Sequence, residues 1–337
     1  MTAFRLSVCI PTYNFGAFIG ETLRALVDQA TDDVEIVVLD GGSTDETPAV
    51  VERFSREFPR LVYRRLDRPG GVDADIERAV ALAHGEYVWL MSADDVPAPG
   101  ALARMREELG SGADVYLCDR VVCDRDLRPL GEQAWLAPGA GVGPFRFSEP
   151  AELRRYLTNA RSIGALFSFI SAIVVRREAW DASPPGPGSI GTNYAHAARI
   201  LSILRSGGRL RHVPAPLVLC RGENDSFARG GVVRRFVIDL DGYLHLAGVL
   251  GGGPEARAEF LAVMRREHPW YVYAEIRSRA ASREEWKAIR GKLLAYGYAP
   301  WQVAVSGSVG AVPAAIHLAR LAWFGLRRIR RALARAA

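Results

Sequence analysis

The sequence predicts an α/β protein: a mostly parallel sheet covered by helices on both faces, followed by a helical C-terminal region. Three observations carry this. Over the first hundred residues, short apolar runs alternate with segments of helical periodicity, the pattern of parallel strands joined by crossover helices. Each apolar run stops on polar residues: Thr12 and Asn14, Asp40 and Ser43, Asp67, then Asp94 and Asp95. From about residue 229 the spacing of apolar residues is helical, with glycine-rich breaks.

Residues 6–11 form the first strand and run into Pro11-Thr12-Tyr13-Asn14; residues 18–29 then carry Phe18, Ile19, Leu23, Leu26 and Val27 at helical spacing. The second strand, 35–39, closes on Asp40-Gly41-Gly42-Ser43-Thr44-Asp45, where Ser43 or Thr44 caps a helix reaching about Phe58. Residues 61–66 are a third strand, 73–83 a helix and 87–91 the fourth strand. Residues 167–176 read as a buried strand and 216–219 as another, with a Pro/Gly-rich loop (183–189) and a helix over about 190–204 between them. Helices are expected over 232–250, 254–268 and 282–296, with Trp270, Tyr271, Tyr273, Trp286, Tyr296, Tyr298 and Trp301 packing between them or lining a groove.

The fourth strand halts on Ser92-Ala93-Asp94-Asp95. Open α/β sheets bind ligands at the carboxyl edge, and paired acids there can hold a divalent cation against a diphosphate. Alone, the pair would read as a solvated loop or a helix cap. The other polar strand ends converge on the same crevice and favour binding.

With 337 residues and 49% hydrophobic content, the chain can bury one large core plus an appendage. Met1 to Arg5 leads straight into the first strand, so no signal peptide is expected. Cys9, Cys118, Cys123 and Cys220 form no CxxC pair and read as buried thiols in a reducing compartment, the cytosol. The net charge of +5 is unevenly spread: no acid follows Glu285, whereas Lys287, Arg290, Lys292, Arg320, Arg327, Arg328, Arg330, Arg331 and Arg335 do. Residues 303–326 are apolar, but Pro313, His317 and Arg320 argue against a membrane span. Residues of about 311–335 read instead as a basic amphipathic helix lying on an anionic inner leaflet, or docked on its own domain. No nucleic-acid-binding module surrounds these charges, and no nucleic acid partner is expected.

Four motifs, Pro11-Thr12-Tyr13-Asn14, the Asp-Gly-Gly-Ser-Thr-Asp turn, Gly85-Glu86-Tyr87 and Asp94-Asp95, occur in an order that resembles the family 2 glycosyltransferases of the GT-A fold. Gly70-Gly71-Val72-Asp73-Ala74-Asp75 followed by Ser92-Ala93-Asp94-Asp95 is similar to the abequosyltransferase-like subgroup of O-antigen and polysaccharide assembly. The resemblance implies that Asp95 ligates Mg²⁺ or Mn²⁺, while Asp94 bonds the donor ribose or holds the metal's water shell. It also implies that Pro11, Thr12, Tyr13 and Asn14 lie near the nucleotide base, with Asp40 supporting that pocket. Two departures stand out. Ser92 replaces a further acid, and Gly41 replaces a second acid that reads uracil in many relatives, which puts uridine in doubt. Asp73 or Asp75 can supply a replacement contact; Asp73 can equally cap its own helix.

The resemblance further implies Glu-Asp, with the Asp as general base, where this chain has Thr192-Asn193. Asn193 has no usable basic lone pair, though its amide can orient the acceptor. His196, one helical turn on, is the leading substitute, with an ordinary pKa near ~6.5; Asp225 and Asp181 are alternatives, and packing is the common role of a helical histidine. Arg221 and Ser226 match the basic residue and serine of a loop that closes over the diphosphate in relatives.

The expectation is a metal-assisted, inverting glycosyltransferase with a GT-A domain over 1–228 and a helical region over 229–337. It would pass a sugar, a deoxyhexose in the narrower reading, from a nucleotide diphosphate donor to a polyprenyl-linked saccharide acceptor at the cytoplasmic membrane face. Two rivals stand beside it. A sugar nucleotidyltransferase would need a basic phosphate loop, and Asn14-Phe15-Gly16-Ala17 lacks the Lys or Arg. A catalytically impaired nucleotide-binding membrane adaptor would follow from loss of the base.

Overall fold

The computed structural model describes residues 4–224, 231–270 and 272–308, without the side chains of 274, 275 and 305–308. Asp225, Ser226 and the expected amphipathic tail lie outside the described residues. The element order is β1 (Leu6–Thr12), α1 (Gly16–Gln29), β2 (Val34–Asp40), α2 (Thr47–Glu57), β3 (Leu61–Arg65), α3 (Val72–Ala81), β4 (Tyr87–Leu90), β5 (Val96–Pro97), α4 (Ala101–Leu109), β6 (Val115–Cys123) and β7 (Pro129–Gln133). Then come α5 (Pro150–Asn159), β8 (Ile173–Arg176), α6 (Arg177–Ala182), α7 (Ala195–Arg205) and β9 (Leu210–Cys220). Five helices close the described chain: α8 (Val232–Leu250), α9 (Gly253–Glu267), α10 (Val272–Arg279), α11 (Arg283–Ala295) and α12 (Pro300–Ser308).

One sheet runs β3-β2-β1-β4-β8-β6-β9-β5, with β7 paired to β6. Its first four strands are parallel. Residues of β2 are buried throughout because helices cover both faces, and its sequence is accordingly apolar without alternation. Strand β8 is antiparallel to both β4 and β6, and β6 runs parallel to β9. The ends of β1, β2, β4, β6 and β9 and the start of β8 therefore share one edge.

Two expectations need correction. The segment 167–176 is a strand only from Ile173: Phe167 is left-handed (φ 64°) and Ile170–Ala172 is a 3₁₀ turn. Its serines turn aside to polar partners, Ser168 to the Ile163 carbonyl and Ser171 to Asp95. Neither Ser43 nor Thr44 caps α2. Asp45 Oδ1 accepts the Thr47 N–H while its Oδ2 accepts the Gly16 N–H, so one carboxylate serves the positive ends of two helices.

The helical region packs on the sheet domain through α7 and α8. Gly242 of α8 lies against the Tyr194 ring, where a Cβ would come within 2.2 Å of a ring carbon, and the Tyr194 hydroxyl donates to Asp239. Tyr273, Tyr296 and Tyr298 are buried between helices, as read from the sequence, whereas Trp301 is 60% exposed. All four cysteines are free. No helix among the described residues is long and apolar enough to cross a membrane.

Candidate active site

The carboxylate pair sits where β4 ends. Asp95 is buried; its Oδ2 accepts from Ser171 Oγ at 2.5 Å and its Oδ1 from the Arg221 N–H at 3.2 Å. Asp94 accepts from Ser92 Oγ and from the Asn224 amide. Burial first, and then the Asp94 charge, push the Asp95 carboxyl up to about 7. Every direct donor to the pair is a hydroxyl, an amide or a backbone N–H, and no ion pair reaches either carboxylate among the described residues. A divalent cation bound there would supply the positive charge that the hydrogen-bond partners of the pair lack. No group of three or more ligating side chains occurs among the described residues, so a cation at Asp94 and Asp95 would complete its shell with diphosphate oxygens and water, the usual arrangement for Mg²⁺.

The first two strand ends form a second wall. Tyr13 is 43% exposed at the sheet edge, while the Thr12 hydroxyl is buried with no partner among the described residues. Pro11 pairs with Leu39 in the sheet ladder. Asn14, left-handed at φ 59°, ties the two loops together: its N–H donates to Ser43 Oγ and its Oδ1 accepts the Thr44 N–H at 2.8 Å. Asp40 is fully buried beneath them, accepting from the Ser43 N–H and the Tyr63 hydroxyl. Burial and this carboxylate raise the Tyr63 pKa, so the phenol stays protonated as the donor.

Three sequence-predicted site residues do something different. Asp73 does not face the base pocket, and it does not cap its own helix. Its Oδ2 accepts the Gly191 and Asn193 N–H groups and its Oδ1 that of Ala195, capping α7 from another element. The acid beside Gly41 is Asp75, whose Oδ2 would lie 3.2 Å from a Cβ built there. Arg221 is engaged within the protein: its guanidinium donates to the Asp94 and Arg125 carbonyls and to Glu21, and stacks over Phe18. It is a clamp beneath the carboxylates.

His196 is the third correction. It is buried, its Nε2 donates to the Phe167 carbonyl at 3.0 Å, and its Nδ1 has no partner among the described residues. Burial lowers its pKa to about 4, against smaller opposing effects of Asp73 and the Phe167 carbonyl. A base must meet the acceptor hydroxyl, and this imidazole points into the core. Asn193 is held at the head of α7, left-handed at φ 66°. Asp75 was named from the sequence as a replacement for the acid missing at Gly41, whereas Ser171 and Asn224 were not singled out. Only the serines in an otherwise apolar run signalled a polar role for Ser171.

A mixed sheet, parallel over its first four strands, whose edge gathers a buried acidic pair, an exposed aromatic and a pinned second half defines a glycosyltransferase of the GT-A type. The chain belongs to glycosyl transferase family 2, whose family model matches residues 7–179. It is 36% identical over 273 residues to the abequosyltransferase RfbV of Salmonella typhimurium, covering 79% of this chain and 81% of the relative. The fold is similar to that of Staphylococcus aureus TarS 1-349, solved in complex with UDP-GlcNAc (TM-score 0.60, 18% identity, 87% of this chain and 80% of that one). It is also similar to a Pyrobaculum calidifontis mannosyltransferase solved with GDP-Man and Mn²⁺ (TM-score 0.55, 21% identity, 98% and 82%).

Proposed function

We propose that this glycosyltransferase moves a deoxyhexose from a nucleotide diphosphate donor to a saccharide acceptor with inversion, assisted by a divalent cation at Asp94 and Asp95. The observation that carries the reading is the buried acidic pair whose carboxylates accept from neutral groups alone among the described residues. When bound there, Mg²⁺ or Mn²⁺ would neutralise charge building on the leaving diphosphate. Ser171 and the Arg221 N–H fix the Asp95 oxygens, Asp40 and Asn14 fix the loops around the base, and Asp73 fixes the acceptor-side loop carrying Asn193. The abequosyltransferase relative supports a deoxyhexose donor, since abequose is a dideoxyhexose. The basic C-terminal sequence supports a polyprenyl-linked acceptor and a peripheral position on the cytoplasmic membrane face. Residues 1–228 would form the transferase domain and 229–337 a helical region packed on it.

Release of nucleoside diphosphate from a panel of CDP-, UDP-, GDP- and dTDP-sugars, with Mn²⁺, with Mg²⁺ and with chelator, tests this. One donor should be turned over with cation present, and Asp95→Asn should lower that turnover by about 10²- to 10³-fold. Full turnover in chelator, or in Asp95→Asn, would refute the role given to the pair.

A further inference from the structure

Beside the acidic pair lies a cavity of about 220 Å³ whose walls include Arg120, Trp135, Phe169, Tyr194, Arg235 and Glu267. It adjoins Asp95 in two ways. Ser168 and Phe169 line it, and two residues further on Ser171 donates to Asp95. Arg120 also lines it and donates to Cys220 Sγ, the residue before Arg221, whose N–H donates to Asp95. Tyr194, the neighbour of Asn193, forms another part of the wall.

The lining has the character of a sugar site. Aromatic edges come from Trp135 and Phe169, 6.0 Å apart between ring centroids. Polar groups come from Gln133, Ser162, Ser168 and the Glu267 carboxylate. The charged groups already have partners within the protein. The Arg120 guanidinium sits over the Trp135 and Phe169 rings and donates to Gln133 and to Cys220 Sγ. Arg235 pairs with Asp239, and Glu267 accepts the Ile163 N–H. With its cations so engaged, the cavity favours an uncharged, hydroxyl-rich ligand over a phosphate. A carboxylate accepts from more than one donor, so Glu267 can still bond a sugar hydroxyl.

We propose that this cavity receives one uncharged pyranose ring of the saccharide acceptor, with Glu267 as its principal hydrogen-bond acceptor. The inference rests on the transferase reading above. It gives the helical region a direct part in the site, because Arg235 and Glu267 belong to α8 and α9. Acceptor recognition is then split between the sheet domain and the helices packed on it.

Saturation-transfer NMR of the full chain with millimolar methyl hexopyranosides, neutral hexose and deoxyhexose forms, tests it without any donor. At least one glycoside should receive saturation. Glu267→Gln, which keeps an oxygen for the Ile163 N–H, should weaken that binding about tenfold. Ser168→Phe, which fills the cavity, should abolish it, with a melting curve for each variant showing that it is folded. Ala256→Trp, in the separate cavity of about 290 Å³ between α5 and α9, should leave the signal unchanged. Glycoside binding that survives both Glu267→Gln and Ser168→Phe, or that is lost in Ala256→Trp, would overturn the proposal. So would an absence of signal from every glycoside in a protein that still turns over a donor. A protein that binds glycosides here but turns over no donor would instead sink the transferase reading.

Discussion

Asp73 on α3 and Asn193 at the head of α7 meet across 120 residues of chain, the Asp73 Oδ2 accepting the Asn193 N–H at 2.8 Å. The same carboxylate takes the N–H groups of Gly191 and Ala195, so one buried acid sets the path of residues 191–195. Asp73→Ala should cost about 3 kcal/mol of stability, because three backbone donors, one of them buried, lose their acceptor. It should also raise the acceptor KM more than the donor KM. Chemical denaturation and steady-state kinetics with each substrate varied read the two effects; an equal rise in both KM values would argue that Asp73 serves the donor side.

Ser171 holds Asp95 Oδ2 and also accepts the Ser92 N–H at 2.9 Å, so a single hydroxyl spans both strands of the acidic site. Ser171→Ala should lower kcat about tenfold or more through loss of a bond to a charged group, while Ser171→Thr restores most of it. The concentration of Mn²⁺ giving half-maximal rate should rise in the alanine variant. Unchanged cation dependence would remove Ser171 from its positioning role.

The buried His196 makes stability sensitive to acid. Its folded pKa of about 4 lies below the ordinary 6.5, so the unfolded chain binds the extra proton between these values. Stability should therefore fall as pH drops from about 6.5 towards 4, by up to about 3 kcal/mol from this group. In His196→Gln that component disappears, and kcat should remain within about threefold, since the side chain serves packing and not proton transfer. Denaturant midpoints across this pH range check the first point. A kcat loss of roughly two orders of magnitude would restore His196 as a base.

Gly85 leads into β4 with no room for a side chain: a Cβ would stand 2.5 Å from Ser7 Oγ and 2.7 Å from the Ser7 backbone nitrogen. The Gly85 N–H also donates to Ser7 Oγ at 2.8 Å. Gly85→Ala should cost about 1–3 kcal/mol by forcing β1 and β4 apart. A melting temperature unchanged from wild type would refute this packing account.

The first four strands were legible because their signal is local: an apolar run, a polar stop and a helical stretch each lie within a dozen residues. Asp94 and Asp95 were legible for the same reason, as a strand ending on two charges. The second half of the site was not. Strand β9 extends back to Leu210, beyond the apolar 216–219 core, because it pairs with β6 across a hundred residues and tolerates irregular register beside Asp119. Arg221 and His196 have the residue types of a phosphate ligand and a base, and burial gave each another role. Residue type does not reveal which way a side chain points. The contribution of Glu267 and Arg235 depends on how α8 and α9 pack, which helical periodicity alone does not specify.

The reversed direction of β8 has a consequence for how this scaffold can diversify. Ser171 meets Asp95 because an antiparallel strand begins where its neighbour β4 ends, and the chain leaving β6 at Cys123 has already been brought to that same side. The intervening stretch, 124–170, is thus moored at both extremities by ladder pairing. Between those ends β7 pairs with β6, and Trp135, Phe145 and Tyr156 are buried in the core, so the scope for variation lies in its exposed turns, such as that around Arg125 and Asp126, where length can change at modest entropic cost while Asp94 and Asp95 stay put.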